Sequence, residues 1–237
     1  MPNSEYAYVG HELHVFEHAT TWKRYVAENI RAYLGTSVIE VGAGVGANIG
    51  HLYDRQTSWL CVEPDQQLAD CISGRIEQRT LPATCRVFVG TIGDLPASER
   101  ATSVLYIDVL EHIEDDAAEV AIAARRLEPG GHLVALSPAH QWLFSPFDAA
   151  IGHHRRYTAA SCRNLTVPGL RLVTLRYLDS VGMLASAANK LLLRTSTPTK
   201  EQILLWDQFM VPMSRWLDPV IRHRLGKSIL AIWQKQS

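Results

Sequence analysis

The chain has 237 residues, 47% apolar and 20% charged, with a formal net charge of −1. That length suits one sizeable core, so a single domain over residues 1–237 is expected. A near-neutral balance offers no basic surface to neutralise phosphates, which argues against nucleic acid as a partner.

The start carries no charged-then-apolar leader, and no apolar run reaches the length of a transmembrane segment. Four cysteines (Cys61, Cys71, Cys85 and Cys162) form no Cys-x-x-Cys pair, and Cys61 and Cys85 fall in strand-like runs. The composition therefore reads as a cytoplasmic protein with free thiols, a monomer or homodimer.

In chain order, residues 12–33 have helical spacing and end at Gly35. Strands follow at 37–41, 58–63, 85–89, 103–108 and 132–137, separated by helices at 47–54, 65–79 and 115–127. A helix at 159–165 and strands at 170–178 and 228–234 complete the pattern. Mostly apolar strands between helices imply a parallel sheet covered on both faces. The fold class is α/β, a Rossmann-like, doubly wound, mostly parallel seven-stranded sheet, with a helical cap at 179–227 inserted before the last strand. Residues 1–35 would form an N-terminal helical cover, 36–137 a cofactor-binding core, and 138–237 a substrate loop, the last strands and the cap. Ligands of such folds lie at the carboxyl ends of the strands.

The first strand runs into VIEVGAGVGANIG, whose glycines admit two spacings. Gly42-x-Gly44-x-x-Ala47 fits a dinucleotide turn, whereas Glu40-x-Gly42-x-Gly44-x-Gly46 puts a carboxylate before the first glycine. An unpaired carboxylate would repel a pyrophosphate, but would attract the cationic end of an amino-acid-like ligand. Glu40 could instead hold a backbone amide near the turn. Glu63 ends the second strand, where a carboxylate can accept both hydroxyls of a ribose.

These residues, with CVEPD, GTIGDLP, YIDVLEHIEDD and LEPGG in order behind them, resemble the class I S-adenosylmethionine-dependent methyltransferases over residues 36–137. The resemblance implies S-adenosylmethionine as cofactor and S-adenosylhomocysteine as product. It places Glu40, Gly42, Ala43, Gly44 and Gly46 beside the methionine portion, Glu63 at the ribose, and Pro64 near the adenine. Thr91 and Ile92 would lie near the adenine too, although many relatives have Asp where Thr91 stands. Asp108, Val109 and Leu110 would form the other wall. The expected activity is methyl transfer to an oxygen or nitrogen of a small-molecule or lipid- or glycan-linked metabolite. The alternatives are a nicotinamide-dependent oxidoreductase and a non-catalytic S-adenosylmethionine-binding protein.

Methyl transfer requires the nucleophile, carbon and sulfur to be aligned and water excluded, and a histidine is well matched as a base. The stretch SPAHQWLFSPFDAAIGHHRRYT begins where the fifth strand ends. It resembles a bacterial subgroup of the class, some members of which are thought to act on glycan, lipid-linked or secondary-metabolite substrates. His153, His154 and His112 are the candidate catalytic residues; Trp142, Phe147, Arg155, Arg156 and Tyr157 are the candidate substrate contacts. Asp148 could simply pair with Arg155 or Arg156, and Tyr157-Thr158 could cap the next helix.

Asp108-x-x-Glu111-His112 admits a divalent metal, but helix-start chemistry accounts for the same acids, and no metal is expected. His18 and Trp22 either close over the cofactor or pack in the core. The apolar stripe Ile203, Leu204, Phe209, Met210, Met213, Trp216 and Leu217, interrupted by Pro212, would pack on the sheet or form a lid. Peripheral membrane contact, with Arg222, His223, Arg224 and Lys227, is the minor alternative.

Overall fold

The computed structural model describes residues 16–188, 190 and 199–236. Seven strands form one sheet: β1 Ser37–Val41, β2 Ser58–Glu63, β3 Cys85–Val89, β4 Ala101–Ile107, β5 Leu127–Pro138, β6 Leu170–Leu178 and β7 Ser228–Lys235. Their order is β3-β2-β1-β4-β5-β7-β6. The first five pair in parallel, and β7 runs antiparallel between β5 and β6. β1, β2 and β4 are buried almost end to end, the consequence of apolar runs covered on both faces.

The helices are α1 Thr20–Ile30, α2 Ile49–Leu52, α3 Gln66–Glu77, α4 Asp116–Arg126, α5 Pro146–Ala150, α6 Ala159–Asn164, α7 Ser180–Ala188, α8 Lys200–Leu205 and α9 Val211–Val220. Asp65 starts α3 by accepting from the backbone N–H groups of Gln67 and Leu68. Asp115 caps α4, which has Asp116 and Glu119 in its first turn and Arg125 and Arg126 in its last, matching the helix dipole.

One core packs α1 and the cap on the sheet, with Trp22, Tyr25, Ile30, Trp59, Leu105 and Trp206. The other packs α4 and α6 on the opposite face, around Tyr106, Val120, Tyr157 and Trp233.

Three differences from the sequence pattern have local causes. The helix expected at 12–33 is α1 followed by a tight turn at Arg31–Tyr33, and residues 12–15 lie outside the described residues. β5 begins at Leu127, five residues early, because Pro129-Gly130-Gly131 sits opposite a register shift between Ala101 and Ser103 rather than forming a turn ahead of the strand. Between α8 and α9 the helix widens over Trp206–Met210. Pro212 lacks the N–H that this turn would need. Within the cap expected at 179–227, α7 covers Ser180–Ala188, and residues 189 and 191–198 lie outside the described residues.

The cap leaves and rejoins the sheet at one point, where the Lys227 N–H donates to the Asp179 carbonyl at 3.0 Å. Asp179 accepts from the Trp206 indole at 2.7 Å and the Ser214 hydroxyl at 2.7 Å. Asp218 accepts from the Tyr25 hydroxyl and the Asp179 and Ser180 N–H groups. Both acids are fully buried and tie the cap to β6 and α1. No helix among the described residues is long and apolar enough to cross a membrane.

Candidate active site

A cavity of about 1150 Å³ opens at the carboxyl ends of β1, β2 and β4, between the sheet and the cap. One end is built by backbone. Gly42, Gly44 and Gly46 have φ of 63°, 57° and 73°, a region that strains residues bearing a Cβ. A Cβ on Gly42 would meet Val109 Cγ2 at 2.7 Å, so only glycine leaves this cradle open. The Gly44 N–H donates to Glu63 Oε2 at 2.7 Å and the Asp65 N–H to Glu63 Oε1 at 3.1 Å, which ties the turn to the end of β2. Burial raises the Glu63 carboxyl against the lowering effect of those two bonds. Gly42, Ala43, Gly44, Glu63, Pro64, Asp108 and Val109 all line the cavity.

The remaining cofactor candidates do not. Glu40 points into the core, where Oε2 accepts from the Trp59 indole at 2.9 Å and Oε1 from the Asn48 amide at 3.3 Å. It reaches the cavity only through Asn48, and its partners are side chains rather than the backbone amide allowed for above. Burial pushes its carboxyl up to about 7, with the indole and amide bonds pulling the other way. Gly46 packs under the turn near Leu81 and Ile49. Thr91 starts a short turn, its N–H and hydroxyl both donating to Asp94 Oδ2 at 2.9 and 2.7 Å. Ile92 and Leu110 are core residues.

The other end is built by side chains. Asp148, 1% exposed, is the hub of the loop after β5. Arg156 grips it through Nε and Nη2, each at 2.9 Å, and Ser145 donates its N–H and hydroxyl at 2.7 Å. Asp148 Oδ1 lies 3.1 Å from His153 Nδ1. Burial raises the Asp148 carboxyl, but the His153 and Arg156 bonds and the Arg156 charge outweigh it and hold the group well below the usual carboxylate range. His153 Nε2 is 3.9 Å from Glu111 Oε1, and the His112 ring meets the His153 ring edge-on at 4.5 Å. Neither carboxylate oxygen of Glu111 has a hydrogen-bond partner among the described residues. Burial, followed by the charge of Asp108, drives the Glu111 carboxyl well above its ordinary value. Burial and then the charges of His153 and His154 lower His112 to about 4.

His112, Phe147, His153 and Arg156 therefore line the cavity, and four candidates from the same stretch do not. His154 is exposed, its N–H donating to the Glu111 carbonyl. Trp142 is 54% exposed. Arg155 turns away to Asp116 at 2.7 Å, and the Tyr157 hydroxyl donates to Asp116 and to the Leu110 carbonyl. Thr158 caps α6, as the sequence allowed. Trp22 lines the cavity beside Lys23; His18 does not. Lys227, grouped by the sequence with Arg222, His223 and Arg224, lies instead on the cavity wall, its Nζ 4.7 Å from the Trp206 ring centre. Glu111, His112 and His153 each bring a ligand atom within 4.8 Å of the others, although no metal was expected.

A parallel sheet with a glycine turn after β1 and an antiparallel β7 defines the Rossmann-like methyltransferase class of fold. Residues 39–135 match the family model described as "Methyltransferase domain". Solved structures agree in fold. An S-adenosylmethionine-dependent methyltransferase from Clostridium acetobutylicum is 10% identical with a TM-score of 0.61, covering 95% of this chain and 98% of that one. A coclaurine N-methyltransferase bound to N-methylheliamine and SAH is 13% identical with a TM-score of 0.62, over 91% and 71%. The [4+2]-cyclase SpnF is 13% identical with a TM-score of 0.64, over 90% and 80%. A Streptomyces fradiae sequence, the "uncharacterized 37.1 kDa protein in transposon TN4556", is 29% identical over 131 residues. The match takes in 54% of this chain, which spans little more than a third (37%) of that curated relative. Residues 39–135 thus resemble a methyltransferase domain, and the chain shares the fold of S-adenosylmethionine-dependent methyltransferases.

Proposed function

We propose that the protein transfers a methyl group from S-adenosylmethionine to an oxygen or nitrogen of a small-molecule or lipid- or glycan-linked acceptor. The observation that carries this reading is one cavity joining the glycine turn to the Asp148–His153 pair. When bound, the cofactor supplies an electrophilic methyl on a sulfonium. The glycine turn provides a cradle that a single Cβ would fill. Gly42, Ala43 and Gly44 would hold the amino-acid end, Glu63 the ribose, Pro64 the adenine, and Asp108 and Val109 the opposite wall. Glu40 supports this end from below, through Asn48.

With its proton on Nδ1 and donated to Asp148, His153 presents a basic Nε2 to the cavity. There it would take the proton that the acceptor loses. Arg156, fixed by Asp148, lines the acceptor end with Phe147, which offers an apolar face.

The nicotinamide alternative loses support from β7, because the sheets that bind dinucleotides add their sixth strand in parallel. Calorimetry separates the two: S-adenosylhomocysteine should bind and NADH should not. Heat from NADH alone would overturn the proposal, and cofactor binding without turnover would leave the non-catalytic reading standing. A second reading, a divalent metal on Glu111, His112 and His153, is favoured by their spacing and by the unsatisfied Glu111 oxygens. Activity that survives a strong chelator would end it.

A further inference from the structure

From Trp206 to Leu225 the chain buries Trp206 and Val211 but leaves other large apolar side chains on the surface. Both acids in this stretch point inward. Asp207 accepts from the Thr21 and Trp22 N–H groups at 3.1 and 2.8 Å, and Asp218 is buried against Tyr25. The outward face instead carries Phe209, Met213, Trp216 and Val220, 62%, 59%, 83% and 77% exposed. Their spacing of four, three and four residues makes one stripe along α9 and the turn before it. Arg222 and Arg224 stand exposed beyond its end, with no ion pair among the described residues.

We propose that this face docks on an anionic phospholipid bilayer. Bulky apolar side chains with a tryptophan at the centre suit the boundary between headgroups and acyl chains, and the arginines complement lipid phosphates. A second copy on a two-fold axis would bring the same cationic surface, whereas the bilayer brings the opposite charge. The stripe also adjoins the cavity. Leu205 is 52% exposed and lines it, as do its neighbours Trp206 and Met210. A lipid-linked acceptor could thus enter from the membrane side, a step that rests on the methyl-transfer reading.

Sedimentation with phosphatidylcholine vesicles, with and without phosphatidylglycerol, tests the docking without needing turnover. The protein should pellet with the anionic vesicles, stay in solution with the neutral ones, and be released by high salt. Trp216→Glu should weaken partitioning by about tenfold or more, and Trp216→Phe should restore most of it. Arg222→Glu with Arg224→Glu should abolish the preference for anionic lipid. All these positions are exposed, so the melting temperature and the heat of S-adenosylhomocysteine binding should not change. Wild-type protein left in the supernatant with anionic vesicles would overturn the proposal. So would unchanged pelleting of Trp216→Glu, or a concentration-dependent dimer that this substitution dissolves in the absence of vesicle binding. Pelleting by a protein that gives no heat with S-adenosylhomocysteine would remove the proposed activity and leave the docking in place.

Discussion

The two ends of the cavity are made in different ways. At β1 the backbone itself is the site: three glycines with positive φ and a carboxylate that takes the Gly44 N–H. Past β5 the site is a web of side chains, in which Asp148 gathers Ser145, His153 and Arg156. A backbone site leaves its mark in glycine spacing, whereas a side-chain web depends on which partners the fold brings together. The first should respond to steric change and the second to loss of charge.

The largest expected effect is at the web. Asp148→Ala leaves Arg156 buried without its carboxylate, which should cost about 3–5 kcal/mol of stability. The melting temperature would fall by roughly 10 °C. A drop of a degree or two would mean that the loop stands without its hub.

Next comes Glu40, which ionises near 7 in the fold against an ordinary 4.5. Across that window the unfolded chain is the more ionised. This contribution to stability is therefore complete below about pH 4 and is lost as pH rises through 7. Glu40→Gln keeps an oxygen for the Trp59 indole and should flatten the profile, gaining on wild type by about 2 kcal/mol between pH 5 and 7. Parallel wild-type and variant melting curves against pH would break the assignment.

At the backbone end, Gly42→Ala combines a strained φ with a contact on Val109. The strain alone is worth about 1–2 kcal/mol, so S-adenosylhomocysteine affinity should weaken about tenfold, as read by calorimetry. The smallest effect on binding belongs to His153→Ala. It should leave cofactor affinity intact while reducing turnover by about tenfold or more. Unchanged turnover would remove His153 from the mechanism and reduce the contrast between the two ends to one of structure alone.

The same contrast explains what could be read in advance. β1, β2, β3 and β6 have the bounds expected from their apolar runs; burial on both faces leaves β1 and β2 little choice of residue, whereas the edge strands β3 and β6 are only partly buried. Gly42, Gly44 and Glu63 lie on the cavity, where their spacing puts them, whereas Gly46 packs beneath the turn. The direction of Glu40 is not legible in the sequence, because it depends on strand register. β1 pairs with β2 so that Val38 faces Trp59, one step along the same face, and the indole draws the carboxylate into the core. In GHHRRY, position alone could not say which side chains turn inward. Asp148 holds His153 and Arg156, while Asp116 takes Arg155 and Tyr157 from 39 and 41 residues away. The resemblance implies that Thr91 accepts from the adenine; its hydroxyl proton goes to Asp94 three residues on, a partner the resemblance does not foretell. The apolar stripe of the cap is legible in the sequence, but whether it faces the sheet, a lid or a membrane is not, since helical spacing is the same on either face.

The bond between Asp179 and Lys227 makes the cap a cassette. Its two ends touch, so closing the excursion asks nothing of the sheet, and the loop-closure entropy grows only slowly with the length inserted. A lineage could exchange everything between those two positions, and with it the acceptor it serves, while the strands and the glycine turn beneath stay as they are.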